Sequence, residues 1–135
     1  MKSLVKFISI AALVSTLGIT ALAEAQENLS GEWVRKEQRV RGSWSIVERT
    51  DGHYLLLDDK FRTRKAPDLK LVLSNLSIEA ANGSNALEGG LVVADLQSPR
   101  GEQSYKLPEN FADYSTLLLH CVEFSKLWGA ASLGR

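Results

Sequence analysis

GSWSIVERTDGHYLLLDD, residues 42–59, is the stretch on which the fold turns. Trp44, Ile46 and Glu48 alternate with Ser43, Ser45 and Val47, a period of two that suits a half-buried strand and not a helix. Thr50-Asp51-Gly52 then reads as a hairpin turn, because an Asp-Gly step accepts positive φ cheaply. His53 to Leu57 returns as a second strand, and Asp58-Asp59 stops it.

The same grammar continues outward. Pro67-Asp68 punctuates before a strand over 69–74, and Asn82-Gly83-Ser84-Asn85 and Gly89-Gly90 read as loops. Leu91 to Leu96 is a strand, Ser98-Pro99-Arg100-Gly101 a turn, and Gln103 to Leu107 a short strand ended by Pro108. Ser115 to Phe124 is the longest apolar segment after the N-terminus and is expected to be the central strand. Upstream, Trp33, Val34 and Val40 make no clean helical face, so 32–41 reads as an edge strand plus loop. Short strands at close spacing, with turn signals between them, predict an all-β domain: a small antiparallel β-sandwich or barrel.

The N-terminus has a different character. Lys2 and Lys6 precede an almost wholly apolar run from Phe7 to Leu22, and Ala23-Glu24-Ala25 places small residues where signal peptidase reads. That is the plan of a secretory signal peptide over 1–25. The run is shorter than the roughly 20 residues a bilayer span needs. An exported, periplasmic or secreted protein is therefore expected, with an N-terminal lead-in over 26–41, polar over Gln26 to Ser30, and the β domain over 42–135. With no cysteine near the cut, a lipid anchor is not expected, and no later apolar run is long enough to span a membrane. Asn28, Asn75 and Asn82 each begin a glycosylation sequon, which matters only in a host that glycosylates.

Of 135 residues, 110 would follow the cut after Ala25, enough for one domain with its own core. Cys121 is the single cysteine, so no internal disulfide exists. The chain has 16 basic and 16 acidic residues; losing Lys2, Lys6 and Glu24 leaves 14 and 15, a net charge near minus one. This overall balance argues against nucleic acid and gives no electrostatic reason to bind anionic lipid.

Several fragments recur together in a known family. Gly42 opens the alternating strand, and Leu55, Leu57, Phe61 and Thr63 follow, with one residue more than usual between Leu57 and Phe61. Pro67-Asp68-Leu69 leads to Leu73-Ser74. Gly101, Gln103, Tyr105, Leu107 and Pro108 form a spaced motif, followed by Tyr114-Ser115, Cys121 with Phe124, and Trp128-Gly129-Ala130-Ala131-Ser132-Leu133. In order and at these separations, the fragments resemble the Skeletor-type electron-transfer domain, the DM-thirteen family, over about 90 residues from Gly42 to Leu133. Ala66 departs from a common Gly, His120 from a common aromatic, and Trp128 from a Phe. The resemblance implies an electron-transfer or redox accessory module resting on Cys121, with an exported redox partner. Such domains occur alone in exported bacterial proteins and beside DOMON and b-type cytochrome domains. The resemblance leaves open whether the chain is an enzyme, and favours an accessory or binding domain over a stand-alone catalyst.

Read as chemistry, the residues leave three alternatives. Cys121 is a redox thiol, a small core hydrophobe within a non-catalytic binding or interaction module, or a thiol bonded to a partner's cysteine. A His120–Cys121 dyad is disfavoured, because adjacent strand residues face opposite ways. On a continued strand Leu119 and Glu123 would share the face of Cys121, and the negative charge would disfavour a thiolate. No cofactor is identifiable. Metal ligands are few, no haem-attachment motif exists, and noncovalent haem through His53, His120 or Cys121 is a minor alternative. Asp58, Asp59 and Asp68 are expected to be turn formers rather than calcium ligands. Trp44, Phe61, Tyr105, Phe124 and Trp128 are expected in the core, with Gln103 and Tyr105 as alternative pocket residues. Pro67, Asp68, Gly101, Gln103, Tyr105, Pro108 and Phe124 are expected to serve the fold, Asp68 by capping backbone amides in its turn.

Overall fold

The computed structural model describes residues 29–134. The signal peptide expected over 1–25 lies outside them. Among the described residues nine strands form two antiparallel sheets. Their ranges are β1 Leu29–Glu32, β2 Val34–Arg35, β3 Ser43–Arg49, β4 Gly52–Leu57 and β5 Leu69–Ser74, then β6 Leu91–Asp95, β7 Gln103–Lys106, β8 Thr116–Cys121 and β9 Lys126–Ser132. A short 3-10 turn, Glu109–Asp113, joins β7 to β8. One sheet has the order β1-β3-β4-β7 and the other β2-β9-β8-β5-β6. The core lies between them, with Trp44, Ile46, Leu55 and Leu57 from the first packed in one cluster with Leu71, Leu73, Leu117 and Leu119 from the second. The domain is thus a sandwich, with the barrel alternative replaced by two distinct sheets.

The opening hairpin forms where alternation predicts it. Trp44 and Ile46 are buried and pair with Leu57 and Leu55, while Gly52 takes φ +139° in the turn. The glycine before it is needed for another reason. Gly42 has φ +88°, and a Cβ there would stand 2.6 Å from the Phe61 backbone nitrogen and 2.6 Å from Asp58 Oδ1. The stretch expected as a lead-in is built into the fold from Leu29 on: β1 pairs with β3, β2 pairs with β9, and Trp33 and Val40 are buried.

β8 is indeed the central strand, flanked by β5 and β9. It ends earlier than its apolar run. The chain turns over 122–125, with Ser125 at φ 50°, and returns as β9. Phe124, expected in the core, is therefore 54% exposed, because it sits in the turn and faces no sheet. Glu123 is likewise an exposed turn residue and not a charge on the face of Cys121. A bulge lies between the Leu119↔Gly129 and His120↔Leu127 pairs, so Trp128 is the extra residue on β9 and enters the core.

Residues 75–90 cover the outer face of the five-stranded sheet. Leu76, Ile78, Ala81 and Ala86 pack there on Val72, Leu118, Leu127 and Ala130, forming a second apolar cluster. Thr116 Oγ1 donates to the Leu76 carbonyl at 2.6 Å, and Lys36 Nζ donates to the Ile78 carbonyl at 2.7 Å. Gly83 sits hard against the β8–β9 turn, where a Cβ would fall 1.9 Å from the Ser125 carbonyl oxygen.

Candidate functional site

Cys121 closes β8 and is 0% exposed in the core between the sheets, on the side of Leu117, Leu119 and Trp128. It is a free thiol. His120 faces the other way, beside Lys70 and Leu127 in the register, so the two adjacent residues form no dyad. His120 is itself 2% exposed, and its Nδ1 has no partner. Burial lowers its pKa, with the Lys126 carbonyl, Glu37 and Asp68 acting in the opposite direction. His53 lies on β4, with its ring 4.7 Å from that of Phe111. The two histidines and the cysteine thus occupy three different environments and do not converge as axial ligands would. Among the described residues no group of three or more His, Cys, Asp or Glu could hold a metal ion. Among them, too, no helix is long and apolar enough to cross a membrane.

The motif residues do converge. Tyr105 Oη donates to Gln103 Oε1 at 2.5 Å and accepts the Gln97 N–H at 2.8 Å. Burial raises the Tyr105 pKa, keeping the hydroxyl neutral, against the lowering effect of the Gln97 N–H. Gln103 Nε2 donates to the carbonyls of Ser98 and Gly101, at 2.9 and 3.1 Å, and its Oε1 accepts the Ser98 N–H at 3.3 Å. Every polar atom of the two side chains is used, and together they fix the 97–101 loop from beneath. Gly101 takes φ +87° where that loop enters β7. Pro108 leads into the 3-10 turn.

That fixed loop faces the Pro67-Asp68 turn across a hollow of about 320 Å³, lined among others by Pro67, Asp68, Leu69, Gln97, Ser98 and Pro99. The Asp68 carboxylate, expected to cap backbone amides in its turn, is engaged elsewhere. The carboxylate pairs with Lys70 Nζ at 3.1 Å, and Lys70 also pairs with Asp95. These two partners, Asp95 before Asp68, raise the Lys70 pKa. What Asp68 gives the backbone is its carbonyl, which accepts the Val122 N–H at 3.0 Å.

This last bond sets the geometry of the thiol. Leu69 pairs with Cys121, and a bond from the residue after Cys121 to the residue before Leu69 marks a non-hydrogen-bonded pair. In such a pair the Cα atoms approach to about 4.5 Å and the side chains lie closest. Leu69 lines the hollow and is 6% exposed. One leucine is therefore the cross-strand neighbour of Cys121 and part of the hollow's wall. The sequence identified the residues of this site separately; the role of Leu69 depends on the β5–β8 register and carries no local signal.

The family model described as Electron transfer DM13 matches residues 32–133. No curated protein and no solved structure matches the chain.

Proposed function

The chain belongs to the Electron transfer DM13 family, and on that premise we propose that it is an exported electron-transfer accessory module whose redox group is the Cys121 thiol, shielded at rest by Leu69. The observation that carries this reading is the placement of Leu69 between the motif-lined hollow and the only thiol of the chain. The secretory plan of residues 1–25 supports export, to the periplasm or beyond the cell. A partner protein seated on the hollow displaces Leu69 and reaches the sulfur. A lone thiol has no resolving cysteine in its own chain. Its thiolate attacks a partner's disulfide, forming a mixed disulfide with one partner sulfur and releasing the other as a thiol, so that the two electrons pass to the partner. No organic cofactor or metal enters this scheme.

The second reading, a non-catalytic interaction module with a structural cysteine, is favoured by the complete burial of Cys121 among leucines and Trp128. Alkylation of the native chain by iodoacetamide separates the two. Under the redox reading Leu69→Ala accelerates native alkylation well beyond Leu118→Ala, a comparably buried leucine on the opposite face of the same sheet. Cys121→Ser then abolishes electron transfer to a partner or disulfide acceptor while the fold persists. Under the structural reading both leucine variants react only as fast as they unfold. Cys121→Ser costs about 1–3 kcal/mol there, because a hydroxyl replaces a thiol among apolar groups. Complete protection in the native chain and in Leu69→Ala would remove the redox assignment.

A further inference from the structure

The near-neutral total conceals a strongly cationic face. A cleft of about 720 Å³ opens between the 35–43 arm and the 58–62 turn, within the size range of small-ligand sites. Arg35, Arg39, Arg41, Lys60 and Arg62 line it. Glu32 and Asp58 are its acidic lining residues, and Asp58 Oδ1 already accepts the Lys60 N–H at 3.2 Å. Among the described residues the ion pairs are made by Lys70, Lys106 and Lys126, and no arginine takes part in one.

The arginines are also crowded by the backbone. Arg41 pairs with Arg62, exchanging N–H bonds of 2.9 and 3.2 Å, and Arg62 pairs in turn with Arg100. The Thr63-to-Pro99 and Gly101-to-Phe61 bonds make the second pair the non-hydrogen-bonded, closer kind. Like charges directly opposite each other destabilise a sheet. Here two such oppositions share Arg62, and no ion pair among the described residues relieves them. Gly42 holds the cleft backbone in place by packing directly on Phe61. A preformed recess with several unpaired guanidinium forks suits a ligand carrying several oxyanion groups in a small volume.

We propose that this cleft binds a compact polyanion, of the oligophosphate or polycarboxylate class, with Arg41 and Arg62 as its principal contacts. The crowding favours a small ligand over an acidic protein surface, whose carboxylates would be spread across a broad face rather than gathered in a recess. The proposal is independent of the role of Cys121.

Calorimetric titration of the purified chain with pyrophosphate and with citrate, at about 0.15 M salt, tests it. Saturable one-to-one binding of either anion is expected. Arg41→Gln/Arg62→Gln should weaken it about a hundredfold, since each lost charge-assisted bond is worth about one decade. Arg49→Gln, the same charge change at the far end of β3, should leave it unchanged. The double variant should melt no lower than the parent without anion, because the opposed charges are gone, so lost binding cannot be put down to lost fold. Equal binding by the parent and the double variant, absence of saturation, or binding confined to a polyglutamate peptide would overturn the proposal.

Discussion

Strand β3 of the four-stranded sheet and strand β8 of the five-stranded sheet both run through the middle of the fold, yet they meet their surroundings differently. In β3, Trp44 and Ile46 are buried while Ser45 and Val47 on the other face are half-buried. In β8 all six residues are buried. The inner face of β8 meets the opposite sheet, and its outer face meets the 75–90 segment. A sheet open on one side reads as alternation, and a strand covered on both sides reads as a continuous apolar run. The thiol is carried by the covered strand, which suits a group kept from casual oxidants; the arginine-lined cleft borders the open sheet.

The largest effect that tests this contrast comes from shortening one outward side chain on each strand. Leu118→Ala, on the outer face of β8, should cost about 2–5 kcal/mol, the loss of a fully buried leucine. Val47→Ala, on the outer face of β3 opposite Tyr54, should cost about 1 kcal/mol or less. Urea unfolding measures both. Similar losses would mean that the 75–90 segment does not seal the outer face in solution.

The contrast also accounts for what the sequence disclosed. The 43–57 hairpin was legible because alternation and an Asp-Gly turn agree. The central place of β8 was legible because no polar residue interrupts 117–119. Its end was not. The turn over 122–125 contains no Gly, Pro or Asn, and it is closed by Ser125 in a left-handed conformation, so in sequence the apolar run reads on through Phe124. β9 was hidden for a related reason: the bulge at Trp128 puts Leu127 and Trp128 on opposite sides of the sheet and breaks the period. At the site, Cys121 and the Gln103–Tyr105 motif stood out, but their meeting across Leu69 is a matter of register. The cationic cleft was invisible to a summed charge, because the acids that balance it lie elsewhere on the surface.

A smaller effect sharpens the comparison where the open sheet supports the hollow. Tyr105→Phe removes the acceptor of the Gln97 N–H and the donor to Gln103. Gln97 is exposed, so water can satisfy its N–H, and the loss should be about 1 kcal/mol. Slowed native hydrogen exchange at Gln97 and Ser98 should be lost with it. If protection of the 97–101 loop survives the substitution, the motif does not hold the rim.

The smallest effect vanishes at neutral pH and belongs to His120, the one histidine of the covered strand. Burial lowers its pKa in the folded protein below the ordinary value of about 6.5. The folded state therefore resists a proton that the unfolded chain accepts. Stability associated with the neutral ring is fully present above pH of about 6.5 and falls as the pH drops from there toward the lowered folded value, since the unfolded state binds more protons in that window. Urea midpoints measured between pH of about 7.5 and 5, above the range where most carboxylates titrate, should decline on the acid side in the parent. They should stay level in His120→Leu, which has no proton to take up. A decline that persists in His120→Leu would place the proton-sensitive group elsewhere and undo the picture of β8 as the strand sealed on both faces.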